Sequence, residues 1–211
     1  MNLEKFDLQA FVLQMAVLII AITIHEFSHA ITADRLGDPT PRSQGRISLF
    51  PTDHLTFFGT LMMVITSITG YGIGWGKPVM TNPRNFDSPR LFSGYVAIAG
   101  PISNILQAIV FAILFRVFHN ASGPVAYFIL MGVVVNISLA CFNMIPIGPL
   151  DGHWVIQALL PRDLANKYEE VNNAYGQMVF LGLVLMAPGL LSSIITPPVA
   201  YVCSHLLGVN F

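Results

Sequence analysis

From Leu8 to Ile24 the chain runs Leu-Gln-Ala-Phe-Val-Leu-Gln-Met-Ala-Val-Leu-Ile-Ile-Ala-Ile-Thr-Ile without a charge, then passes into His25-Glu26-Phe27-Ser28-His29 with no turn residue between. A stretch of that length and polarity is built to cross a bilayer as an α-helix, which satisfies its own backbone groups. A helix sets positions i and i+4 on one face, so His25 and His29 can aim both imidazoles at one metal ion. Glu26 lies one position on, beside such an ion rather than on it, where a general base for a zinc-bound water belongs. Ionisable side chains at membrane depth are costly and are usually functional. The plain alternative, a chance pentad on a helix, does not account for three of them in five residues.

Composition sets the class. Only 10% of the 211 residues are charged and 54% are hydrophobic, with mean hydropathy +0.66, whereas soluble domains carry about 25% charged residues. The pattern predicts an all-α polytopic membrane protein, a single integral-membrane domain over residues 1–211. Apolar blocks at about 8–33, 55–73, 93–118, 125–147 and 176–208 give five to six transmembrane or re-entrant helices, the last block being broken by Pro188-Gly189 and Pro197-Pro198. Between the first two blocks, Gly37, Pro39, Pro41 and Gly45 interrupt any helix, and Arg46-Ile47-Ser48-Leu49 alternates as a short β-strand does. A net charge of -1 leaves no basic footprint and argues against a nucleic-acid partner. Cys141 and Cys203 lie in apolar stretches and read as buried thiols. The flank of the first apolar run (Glu4, Lys5, Asp7) is not basic and no small-residue cleavage site follows, so it reads as a retained helix, not a leader.

Two histidines do not complete a catalytic zinc site, which takes three protein ligands and a water. The best third candidate is Asp151, which follows a long uncharged stretch and is bracketed by Pro146, Pro149 and Gly152. An aspartate capping the next helix is the competing reading. If Asp151 joins the histidines, the far ends of helices 8–33 and 125–147 must lie on one side of the membrane. The pair 93–118 and 125–147 runs out and back, so 93–118 must begin on that same side. Block 55–73 is then no lone one-way span, and Tyr71-Gly72-Ile73-Gly74-Trp75-Gly76 is expected to turn back as a re-entrant or extended return lining the site. This topology gathers Arg35, Arg42, Arg46, Arg84, Arg90, Arg162 and Lys167 on the site's side and leaves Lys5 and Arg116 opposite. The excess marks the site's side as cytoplasmic.

These residues resemble the site-2 protease family of intramembrane zinc metalloproteases, in its compact form without PDZ or CBS domains. The resemblance covers most of the chain. It comprises His25–His29 on the first helix, a GRxxLxP-like segment at Gly45–Pro51 and Gly74–Val79 followed by Asn82-Pro83. Ala99-Gly100-Pro101-Ile102-Ser103-Asn104 and Phe142–Gly152 (FNxxPxxxLDG) complete it. The resemblance implies His25, His29 and Asp151 as ligands of one Zn2+ per chain and Glu26 as catalytic base. It implies Asn104 and Asn143 near the active site, contacting the substrate backbone or the oxyanion. Phe50 stands where many relatives carry an asparagine before the proline.

The expected activity is hydrolysis of peptide bonds in or near transmembrane segments of a membrane-protein substrate, by a multi-pass enzyme of the cell membrane. A helical substrate hides its carbonyls in hydrogen bonds and must be unwound first. A strand edge at Arg46–Leu49 or Gly74–Val79 would hold it extended. His54 and His153 are weaker ligand candidates. Two rival activities remain to be weighed. A membrane metalloprotease of prenylated peptides would more naturally supply a downstream Glu ligand, and Glu169 and Glu170 sit in no motif. A metal-ion transporter or binding protein would show repeated halves and polar residues along several helices. A catalytically dead relative that only binds membrane helices is opposed by the intact Glu26.

Overall fold

The structure, a computed structural model, describes residues 7–69, 74–118, 120 and 122–208. Helix α1, Leu8–Arg35, starts where the Asp7 carboxylate accepts from the Ala10 N–H at 3.0 Å, the usual work of an N-cap aspartate. Two single-turn helices follow, α2 (Thr40–Ser43) and α3 (Pro51–His54), each with a proline in its first turn, and then α4 (Phe57–Thr69). A 3-10 turn, Pro83–Asn85, leads into α5 (Pro89–Val117), which is followed by α6 (Gly123–Asn143) and α7 (Asp151–Leu159). The chain ends in α8 (Arg162–Met186), α9 (Pro188–Val202) and a π-helical turn, Cys203–Leu207.

Helix α5 is the spine, packing against α1, α6 and α7. Among the described residues three helices are long and apolar enough to cross a membrane: α1, α5 and α6. A fourth span exists if α8 and α9, bent by 85° at Ala187-Pro188, count as one. The expected count of five to six helices is therefore not reached. Among the described residues the second block supplies α4, 13 residues long, roughly 20 Å against a hydrocarbon core of about 30 Å.

Beyond α4 the chain does come back. A β-carbon at Gly74 would lie 2.1 Å from Met63 Cγ, so the returning backbone runs against the α4 helix. Gly76 then forms an antiparallel bridge with Leu55, at the foot of α4, and the Lys77 N–H donates to the His54 carbonyl at 2.7 Å. Tyr71, Gly72 and Ile73, expected to make the turn, lie outside the described residues.

The expected strands are corrected. Among the described residues there is no strand, only that isolated bridge. Arg46–Leu49 is irregular backbone between α2 and α3. Alternation there predicted a pleated edge, but what the segment offers its neighbours is one buried guanidinium, not a ladder of backbone hydrogen bonds. Helix α8 also begins well before the apolar block at 176. Its polar first half, with Lys167, Glu169 and Glu170, is made of good helix formers that an apolar-run reading passes over.

Candidate metal centre

One turn of α1 presents both histidines, each buried, with ring centroids 4.6 Å apart and planes at 87°. Each Nδ1 meets an oxygen. His29 Nδ1 lies 2.7 Å from the Val96 carbonyl of α5, which can only accept, so this nitrogen carries the proton and donates. His25 Nδ1 lies 2.6 Å from Asn104 Oδ1, and the Asn104 amide N–H2 is turned the other way, to Asn136 Oδ1 at 2.9 Å and the Ala21 carbonyl at 3.4 Å. Both Nε2 atoms therefore present bare lone pairs, 3.0 Å apart. Such contacts to the far nitrogen are how proteins orient ligand imidazoles.

Asp151 opens α7 after an irregular turn at 144–150. The N-cap is Leu150, and the Asp151 carboxylate points at the imidazoles, its Oδ2 standing 3.2 Å from His25 Nε2 and 3.4 Å from His29 Nε2. That oxygen is buried with no hydrogen-bond partner among the described residues. The turn is held from α8, where the Tyr168 hydroxyl donates to the Pro146 carbonyl at 2.8 Å and Asn172 Oδ1 accepts from the Gly148 N–H at 2.8 Å.

Three electron-pair donors thus converge with no hydrogen between them, an arrangement that repels itself unless a cation sits at its centre. Nitrogen and oxygen ligands about 2.0–2.1 Å from a tetrahedral zinc stand roughly 3.3–3.4 Å from one another. The separations found here, 3.0, 3.2 and 3.4 Å, match that edge. His25, His29 and Asp151 are also the cluster of metal-ligating groups found among the described residues. The donor set fits zinc. Space for it depends on Gly100 of α5, where a β-carbon would stand 2.5 Å from both His25 Cε1 and His29 Nε2.

Glu26 lies beside the centre on the same turn. Its Oε2 is 3.7 Å from Arg46 Nη2, and a β-carbon on Gly76 would come within 3.1 Å of its Oε1. Arg46 is 1% exposed and donates to the carbonyls of Lys77 and Pro78. Burial pushes its guanidinium down while the Glu26 and Asp53 carboxylates push it back up. His54, weighed as a ligand, is fully buried away from the metal ligands. Its Nε2 donates to the Ser48 carbonyl at 2.7 Å and its Nδ1 faces Arg46 at 3.4 Å. His153, the other candidate, stacks on Tyr168 at 5.1 Å.

A cavity of about 700 Å³ opens from the three ligands and Glu26, walled by Trp75, Val79, Asn143 and Phe180 among others. Asn143 faces it, its amide donating to the Leu139 carbonyl at 3.0 Å. Asn104, expected at the substrate, is placed elsewhere: it is fully buried behind His25, and its polar atoms are spent on protein groups. Sequence reading passed over Asn136 and gave Arg46 no role beside Glu26. The signal for Asn136 was present, an amide near the middle of the charge-free α6, since polar groups in membrane helices seek partners there. Arg46 stood in the Gly45–Pro51 segment, but its burial behind Glu26 was not readable there, because an arginine among loop residues reads as solvated.

The peptidase family M50 model matches residues 118–186, the third of the chain that carries Asn143 and Asp151. The chain is 35% identical over 180 residues to "Putative zinc metalloprotease YwhC" of Bacillus subtilis, covering 82% of this chain and 80% of that one. It is 29% identical over 154 residues to "Putative zinc metalloprotease MJ0611" of Methanocaldococcus jannaschii, covering 72% and 73%. It is 27% identical over 151 residues to "Putative zinc metalloprotease Rip2" of Mycolicibacterium smegmatis, covering 70% and 57%. No solved structure matches the chain.

Proposed function

Because the chain belongs to peptidase family M50 and is a zinc metalloprotease, we propose that it hydrolyses peptide bonds in or near transmembrane segments of membrane-protein substrates. The observation that carries this reading is the meeting of His25 Nε2, His29 Nε2 and Asp151 Oδ2 beside Glu26, in a cavity walled partly by the apolar helices. On this reading the chain is one multi-pass domain holding one zinc ion through those three residues. The basic residues at the site's end support a cytoplasmic position for that end.

Zinc held there supplies Lewis acidity, making water acidic near neutral pH and polarising a carbonyl. Glu26 takes the proton from the attacking water as its oxygen bonds to the scissile carbonyl carbon. As the C–N bond breaks, the same carboxyl hands that proton to the leaving nitrogen. Arg46 keeps the Glu26 carboxylate in place from behind. Asn143, on the cavity wall, is within reach to donate to substrate backbone or oxyanion.

The substrate must arrive extended. In the pairing of Leu55 with Gly76 the hydrogen bonding runs through flanking residues, so the Gly76 N–H and C=O turn to the opposite edge. That edge supports strand addition at Gly74–Val79. The other expected edge, Arg46–Leu49, is irregular and drops out. The metal-transport reading gains nothing from a single ligand cluster with a base beside it.

The test is proteolysis of a model transmembrane substrate by purified protein, wild type against Glu26→Gln, with zinc measured in both. The variant is expected to keep its metal and lose at least about 100-fold in turnover. Equal cutting by both would remove Glu26 from its role and the proposal with it.

A further inference from the structure

We propose that Asn136 is a positioning residue for the metal centre, acting through Asn104 to decide which nitrogen of His25 faces the ion. This rests on the zinc reading above, but Asn136 itself touches none of the ligands.

The chain of contacts has a direction, and its far end sets it. The Gly132 carbonyl can only accept, so the group of Asn136 that lies 2.8 Å from it is the amide N–H2. Asn136 Oδ1 must then face Asn104, where at 2.9 Å it needs a donor, which turns the Asn104 N–H2 toward it. Asn104 Oδ1 is left facing His25 Nδ1 at 2.6 Å, which must therefore carry the imidazole proton. The proton on Nδ1 leaves Nε2 bare for the metal. One main-chain carbonyl in α6 thus sets the tautomer of a ligand in α1, through a side chain of α5 that bridges them. Asn104 and Asn136 are both 0% exposed, so no water competes for these bonds, and at that depth each carries more weight.

Without Asn136, the orientation of Asn104 rests on the Ala21 carbonyl at 3.4 Å alone. A flipped Asn104 would present N–H to His25 Nδ1, drive the imidazole proton to Nε2 and block that ligand. An asparagine that only glued α5 to α6 would have no such effect, and the two roles separate in the choice of substitution. Leucine at 136 keeps the bulk and removes both polar ends. Aspartate keeps an acceptor for Asn104, and when protonated it also keeps the donor to Gly132, reproducing the original pattern.

The experiment measures zinc affinity of full-length protein in detergent micelles by chelator competition, together with the visible spectrum of the Co2+-loaded form. Melting of the metal-free protein monitors folding. Asn136→Leu is expected to weaken zinc binding about 10–100-fold and to shift the Co2+ bands, while Asn136→Asp stays within about threefold of wild type. Asn136→Ala, expected to behave as the leucine variant does, is read instead if leucine prevents folding. Wild-type affinity and spectrum in the leucine or alanine variant would overturn the proposal. So would equal weakening by leucine and aspartate, which is what a packing role produces. His25→Ala separates this from the parent reading: if wild type binds zinc and His25→Ala does not, failure at Asn136 sinks the relay alone. If His25→Ala binds as wild type does, the metal centre itself is wrong.

Discussion

At the residue scale the centre depends on what is missing as much as on its ligands. Gly100 follows Ala99 and precedes Pro101 on α5, and its bare α-carbon is what lets α5 close over both imidazoles. An added methyl 2.5 Å from His25 Cε1 and His29 Nε2 has no flexible neighbour to push, since both rings are held at Nδ1. Gly100→Ala should lower zinc affinity by roughly tenfold or more and cost about 1–3 kcal/mol of stability from overpacking. Gly182→Ala, with nothing within 4 Å, should leave both unchanged. Chelator competition on the two variants decides it. His25 and His29 were legible as candidate ligands before any fold was known, because i and i+4 histidines on one apolar helix share a face, whereas Asp151 had a helix cap as its competing reading. The position of Asn104 was not legible. Its place in a motif said that it mattered, but only the packing of α5 against α1 puts it behind His25 and away from the cavity.

At the element scale the return from α4 is the part that the proposed strand addition would use. Val79 lies on the cavity wall just past Pro78, whose carbonyl Arg46 holds at 3.0 Å. Val79→Pro alters the returning segment on the cavity wall and leaves the ligand helices alone, so substrate cleavage should fall by about tenfold or more with zinc content intact. Unchanged turnover would dismiss strand addition there.

The same return is tied down further along by Asp38, just after α1, which is fully buried. Its carboxylate accepts from the Asn82 N–H at 2.7 Å, the Asn85 amide at 2.7 Å and the Thr40 hydroxyl at 2.5 Å. Burial alone would raise the Asp38 carboxyl, but these donors together hold it below its ordinary value. A carboxyl lowered by folding contributes stability that is complete above its unfolded pKa of about 3.9 and is lost as pH falls through the folded value. Metal-free wild type should therefore lose melting temperature between about pH 5 and pH 3 more steeply than Asp38→Asn, while being the more stable of the two at pH 7. Parallel curves would remove Asp38 from that role. Elements were legible where a long apolar run coincides with a helix, as in α1 and α6. Arg46–Leu49 failed as a strand because alternation describes two faces, and a strand also needs a neighbour to bond.

At the scale of the whole molecule, an ion held by the three groups would work as a cross-link. His25 and His29 come from the first helix and Asp151 from α7, more than a hundred residues on, and the contacts that orient the histidines come from α5. An ion that binds this folded arrangement and not the unfolded chain stabilises it by about 4 kcal/mol when free zinc is about 1,000 times its Kd. Chelation should then lower the melting temperature by roughly 8–16 °C for a chain of this size, and added Zn2+ should restore it. A melting temperature indifferent to chelator would mean that the three groups do not share an ion in the folded protein.

The sequence by itself determined the membrane class, the helices that run through apolar blocks, the residues able to hold a metal, and the demand that α1 and α6 end on one side. Those follow from local periodicity and from the cost of bare charge or open backbone in lipid, which every residue meets wherever its partners lie. Tertiary structure alone decided that the returning backbone runs against α4, that Arg46 stands buried behind Glu26, and that Asn104 and Asn136 direct the imidazole of His25. Each of these depends on hydrogen bonds and close approaches between segments far apart in the chain, and such distances are set by packing, which a one-dimensional pattern does not record.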